Sequence, residues 1–345
     1  MEILESDVKT KEIALRKSCE IRNKTYYISD YYGIGYWLKK YANYPTFLPL
    51  YLHSDHGPSI AENLLEYELL SKFKSALFHN SLKIEDAKNR KFKKAFVSGS
   101  AFVHYRRMNN IKRVNNPKGT VCFPFHSTYN IDVSVDWKSY IEELKKLPEK
   151  FHPITICIHY VDIEKGLHKL FLKNGFEVVT AGHKLNVKFV NQFYEILRTK
   201  KYSTSNAWGS HVPYSIELGV PFFYTGNSEI EINNRGNTSL KLGKSSFNEY
   251  LTTNRNVSKF LESNKLFKEF SEAVTAEQLE YANTLLGVND AISPKELNRL
   301  LWKEFLANLH NILGSYLKSI LTRNIHFAKR IVKKIKHVTK IKKNK

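Results

Sequence analysis

The chain is poor in several things that would have assigned it quickly. Its three cysteines, Cys19, Cys122 and Cys157, are widely spaced and form no CxxC pair, which excludes a disulfide framework and a zinc ribbon. Cys122 and Cys157 lie in the apolar runs Val-Cys-Phe and Ile-Cys-Ile, where buried reduced thiols are expected. No apolar run approaches the roughly 18 residues of a membrane-spanning helix. The start, Met-Glu-Ile-Leu-Glu-Ser-Asp, lacks the basic and apolar regions of a secretory leader. The expectation is a protein of the reducing cytoplasm. Asp-x-Asp, HExxH and Gly-x-Ser-x-Gly are all missing, so neither a zincin nor a nucleophile-elbow hydrolase is indicated.

Acidic residues are absent from Phe305 onward, where eleven of the +21 net charges lie, leaving +10 for the preceding 304 residues. In the last stretch Ile325, Phe327, Ala328, Ile331, Val332, Ile335, Val338 and Ile341 recur at helical spacing among lysines and arginines. That pattern predicts an amphipathic helix on an anionic membrane surface, with a solvated extension as the plainer alternative. No aromatic RNP-like motif accompanies the basic residues, so nucleic acid is not expected as a partner.

What the chain does contain is a core. With 42% hydrophobic and 13% aromatic residues over 345 positions, disorder is excluded and more than one domain is expected. Short apolar runs read as strands at 47–53, 94–98, 120–124, 154–160, 176–180 and 220–224, with Tyr202-Ser-Thr-Ser205 leading into another turn. Helical patterns lie between them at 60–77, 101–108, 136–147, 162–173, 187–199 and 211–218. Alternation of this kind is the signature of βαβ units on parallel sheets. The fold class expected is α/β with two Rossmann-like domains, 1–150 and 151–245. A helical region, 246–322, and the basic tail, 323–345, follow.

Ligands of open parallel sheets bind beyond the carboxyl ends of the strands. Five polar clusters fall at such ends: Ser54-Asp55-His56-Gly57, Ser98-Gly99-Ser100, His126-Ser127-Thr128, Ala181-Gly182-His183, and Ser205-Asn206 through Gly209-Ser210-His211. Together they suggest a lined cleft. In the last cluster, free N–H groups ahead of the helix would favour an anion, with Gly209 permitting close approach and the Ser205 and Ser210 hydroxyls donating. Simple capping by Ser210 is the plainer reading. A metal site is a chemical rival: His53, Asp55 and His56 gather three ligand types, which His126, His159 or His211 would complete.

The run Thr204-Ser205-Asn206-Ala207-Trp208-Gly209-Ser210 through Leu218-Gly219-Val220-Pro221 resembles the phosphate loop of GT-B glycosyltransferases. The likeness is to the bacterial members that build capsules and O-antigens. Gly119 to Thr128 and Val179 to His183 are similar to segments of proteins of surface-polysaccharide synthesis, so the resemblance spans roughly 45–230. It implies a GT-B-like fold, with an acceptor domain at 1–150 and a nucleotide-sugar donor domain at 151–245. No cofactor is implied beyond the nucleotide-sugar substrate. The acceptor would be a hydroxyl of a glycan or lipid-linked glycan, and transfer would be inverting and metal-independent on the inner face of the plasma membrane.

Donor and phosphate contacts fall on His183, Ser205, Asn206, Gly209, Ser210 and His211, and the catalytic base on Asp55 or His56. Ser98, Ser100, His126, Ser127 and Thr128 are further cleft candidates. Ser54-Asp55-His56-Gly57 resembles the acidic-acidic-Gly motif of bacterial GT-B sialyltransferases, with His56 departing from its second acidic position. A metal-dependent hydrolase using His53, Asp55 and His56 and a basic nucleic-acid-binding protein remain the alternatives.

Overall fold

The computed structural model describes residues 2–16, 27–226, 229–236, 243–246, 258–310 and 313–314. Cys19 and the basic tail therefore lie outside the described residues. The chain divides into two compact units, 1–298 and 299–345. All that follows concerns the first.

Among its described residues the strands are β1 (His53–Ser54), β2 (Ser75–Phe78), β3 (Lys94–Val97), β4 (Thr120–Cys122), β5 (Ile131–Ser134), β6 (Ile154–Cys157), β7 (Glu177–Val179), β8 (Tyr202–Ser205), β9 (Phe222–Tyr224), β10 (Glu231–Asn234) and β11 (Gly243–Ser246). β1, β2 and β3 form a parallel sheet in that order, and β7-β6-β4-β8-β9 form a second parallel sheet. Numbered along the chain, the second has the order 3-2-1-4-5 of a doubly wound sheet, whose switch point lies between β4 and β8. An antiparallel ribbon, β11-β10-β5, completes the strands. The class is α/β, with two parallel sheets as expected.

The strands are short, and the interior ones of the two parallel sheets are sealed on both faces. β2, β4, β6 and β8 are buried at every position, as expected of parallel sheets covered by helices. Tyr140, Ile141 and Leu144 of the helix Trp137–Lys145 pack with Ile154, Ile156 and Phe171 on one side of the large sheet. Val212 and Ile216 meet Tyr281, Ala282 and Leu285 of the helix Ala276–Leu286 in a second cluster. The small sheet has its own core of Ala76, Phe78, Ala87, Phe92 and Ala95.

Two sequence expectations change here. The helix read over 60–77 is only Glu66–Leu69, and Ser75–Phe78 is instead the central strand of the small sheet. A four-residue run with three apolar positions fits either period, and Leu70, placed on the expected apolar face, is 71% exposed. The strand at Thr120, expected in the first domain, pairs with Ile154 on one side and Tyr202 on the other. The chain thus changes sheets between Met108 and Thr120, ahead of the expected division at 150. Alternation reveals βαβ units but not which sheet a strand joins. Of the region expected to be helical, 245–345, the described residues hold the helices Ser258–Leu266, Ala276–Leu286 and Pro294–Ala307, and the rest lies largely outside the described residues. Among the described residues no helix is long and apolar enough to cross a membrane.

Candidate functional site

The carboxyl ends of both parallel sheets contribute to two adjoining cavities. The inner one, about 150 Å³, lies at the switch point and is walled by Phe102, Phe123, Phe125, Phe193 and Tyr214, with Gly209-Ser210-His211 at one edge. The outer one, about 460 Å³, is lined by Asp55, Lys83 and Lys184, with Tyr31, Tyr67 and Tyr129 beside them. Tyr32, His56, Gly57, His126, His159 and Ser210 belong to both walls. An aromatic chamber thus opens onto a wider, polar one across a partition rich in histidine.

Of the residues singled out in the sequence, Asp55, His56, His126, Thr128, Gly209, Ser210 and His211 come together on these walls. Gly57, His159, Ala181 and Gly182 join them there, whereas Ser98, Ser100, Ser127, His183, Ser205 and Asn206 do not line the walls. Ser205 Oγ donates to the Phe123 carbonyl (2.6 Å), and Asn206 Oδ1 accepts from the Phe125 amide (2.7 Å). These two side chains tie the loops after β4 and β8 to each other. His183 is buried, its Nδ1 accepting from the Leu185 amide (3.0 Å) and its ring 4.3 Å from Tyr160. Ser98 Oγ donates to the Phe78 and Gly99 carbonyls, and Ser100 Oγ meets the Tyr214 hydroxyl at 2.8 Å. Ser127 supports the loop by bonding Asp162 through its amide and Val133 through its hydroxyl. Ser210 occupies the N-cap position of His211–Glu217 without a side-chain capping bond.

Gly209 leaves room for the His211 ring. A Cβ there would stand 2.7 Å from Cε1 and 2.8 Å from Nδ1 of His211. The His211 ring in turn lies nearly parallel to Phe123, with centroids 5.0 Å apart. His126 and His159 stack at 4.0 Å. Burial pushes His211 down to about 3 and His56 down to about 4, and pushes His159 well below its ordinary value. These three rings are neutral near pH 7, and a neutral ring offers one donor and one acceptor.

The floor of the outer cavity holds a closed charge cluster. Lys83 Nζ lies 2.8 Å from Glu68 Oε1, and His79 Nδ1 lies 4.0 Å from Asp55 Oδ2. Burial pushes the Asp55 carboxyl up, but the Lys83 ammonium and the His79 ring outweigh it and hold it well below the usual carboxylate range. Burial raises Glu68, with Lys83 opposing. Asp55 is therefore the committed anion of the pair.

His53, Asp55 and Glu68 have ligand-type atoms within 4.8 Å of one another. The expected grouping of His53, Asp55 and His56 is thus altered, with Glu68 in place of His56. The His53 ring packs against Phe78 and Phe92. Lys83 already supplies the cation that the carboxylates require, so a metal ion would have to displace it. Both described cysteines are buried and free, and burial pushes each thiol up to about 12.

Sequence reasoning missed Glu68, His79, Lys83, Lys184, Tyr31 and Tyr32. His79 has a legible signal, since it closes the apolar run Ser75-Ala-Leu-Phe78 as His53 and Asp55 close theirs. The others lie on helices or connections whose neighbours are set by tertiary folding.

No protein-family model matches the chain, and no curated protein is significantly similar to it. Among solved structures, the UDP-GlcNAc 2-epimerase from Neisseria meningitidis bound to UDP-GlcNAc is similar over 89% of this chain and 89% of that one, at 12% identity and a TM-score of 0.36. A score of that size says nothing about the site or its chemistry.

Proposed function

We propose that the protein is a nucleotide-sugar-dependent glycosyltransferase of the GT-B type, transferring a sugar to a hydroxyl of a bacterial surface glycan. The observation that carries this reading is the shared wall. An ionised carboxylate, Asp55, lines one chamber, an apolar switch-point chamber lies beside it, and His56, His126 and His159 stand between them. In this reading the inner chamber takes the nucleotide end of the donor, and the outer chamber takes the acceptor.

Asp55 is the base. It is charged at any working pH because Lys83 stands beside it, so it always offers an acceptor for the hydroxyl proton. A base of low pKa takes that proton late, once bonding to the anomeric carbon has made the hydroxyl acidic. His211 presents a ring N–H group, and Ser210 a hydroxyl, toward charge building on the leaving phosphate. The transfer is inverting and metal-independent in this scheme. The basic tail, 323–345, would hold the enzyme on anionic lipid at the inner face of the membrane, near a lipid-linked acceptor.

The test is thermal shift with UDP, GDP, CDP and CMP. At least one stabilises the wild-type chain if the reading holds. Failure of all four overturns it.

A further inference from the structure

The two lysines of the outer cavity are in opposite situations. Lys83 is paired with Glu68 and faces Asp55. Lys184, half-buried at the carboxyl end of β7, has no carboxylate within 4.0 Å among the described residues; its partners are aromatic rings. Its Nζ lies 4.2 Å from the centroid of Tyr31 and 5.4 Å from that of Tyr129, both within cation–π range. The Tyr129 hydroxyl is turned to Glu164, at 3.3 Å.

This arrangement is built into the backbone. The Tyr32 amide donates to the Lys184 carbonyl at 2.5 Å, and Tyr32 has φ +56°, a conformation unusual for a bulky side chain. That bond carries Tyr31 onto the lysine. Burial alone lowers the Lys184 pKa, with no acidic neighbour opposing it. Taking a cation partly out of water costs free energy, and a charge-assisted bond to an oxyanion recovers it. Lys184 lines the outer cavity with Asp55 and not the inner one with Gly209 and His211. The net charge of +10 carried before Phe305 would also draw an anion toward the cleft.

We propose that Lys184, between Tyr31 and Tyr129, receives an oxyanion, carboxylate or phosphate, carried by the ligand of the outer cavity. The acceptor is therefore an acidic glycan. Calling that ligand the acceptor rests on the reading given above; the oxyanion site itself does not.

Binding of four probes to the full chain tests it: methyl glucuronide against methyl glucoside, and glycerol phosphate against glycerol. Wild type should bind at least one anionic probe about fivefold or more tightly than its neutral counterpart. Which pair shows the preference separates carboxylate from phosphate. Lys184→Gln should abolish the preference, Lys184→Arg should keep it, and nucleotide-induced stabilisation should be unchanged in both. Equal binding of charged and neutral probes, including no binding of any, overturns the proposal. So does a preference that survives Lys184→Gln, or loss of nucleotide stabilisation in that variant, which would move Lys184 to the donor phosphate. If no nucleotide stabilises wild type while the anion preference persists, the transferase reading fails and the oxyanion site stands.

Discussion

Lys83 reaches Glu68 at 2.8 Å in a position closed to water, where the two side chains are 2% and 0% exposed. The same ammonium holds Asp55 ionised. One buried cation therefore serves two carboxylates, only one of which faces the cavity. A buried pair of this kind contributes little net stability, yet losing one member leaves the other desolvated and unpaired.

Lys83→Met should therefore destabilise the chain by about 3–5 kcal/mol. Lys83→Met combined with Glu68→Leu should recover a large part of that loss. Urea unfolding of both variants checks this, and a neutral single substitution would show that the cluster carries no such strain.

Asp55→Asn should lower kcat by about 10²–10⁴-fold, the usual contribution of a positioned base, while His56→Gln costs less. The measurement is turnover with whichever nucleotide-sugar corresponds to the stabilising nucleotide. The reverse ranking would make His56 the base.

Gly209→Ala should move the His211 ring, since its Cβ would stand 2.7 Å from that ring. The ring is the far end of a side chain, so the stability change should stay below about 1 kcal/mol. Stabilisation by nucleotide should fall, because the displaced ring enters the inner chamber. Circular-dichroism melts with and without nucleotide separate the two effects.

Acid should weaken the fold across a defined window. Burial holds His53, His56 and His104 at about 4 and His211 at about 3, against about 6.5 in an unfolded chain. Between these values the unfolded state binds more protons, so stability is present above pH ~6.5 and is lost as pH falls toward 4. His104 stacks on Tyr41 at 3.6 Å and bonds the Ser98 carbonyl at 2.7 Å. His104→Gln should make the decline shallower by up to ~1.4 kcal/mol per pH unit, as denaturation at several pH values would show.

Much of the site is legible in the sequence because strand ends announce themselves. Asp55, His56 and His126 each follow a short apolar run, Gly209 stands in the turn ahead of a helix, and all four reach the cavities. The misplacements have physical causes. Ser205 and Asn206 read as ligand donors because a small polar turn before a helix looks the same whether it faces a phosphate or a neighbouring loop. β2 reads as helix because a four-residue run with three apolar positions does not fix a period. Lys83, Glu68 and Lys184 carry no local signal, since their partners lie 15 residues away or, for Lys184, at Tyr31 near the start of the chain.

The bonds from Ser205 and Asn206 to the loop after β4 have a calorimetric consequence. They close the switch-point crevice on itself before any ligand arrives. A nucleotide entering it has no loop to fold, so the heat-capacity change of binding should match the apolar area covered by the ligand alone. A much larger value would mean that these loops are open in solution and assemble around their guest.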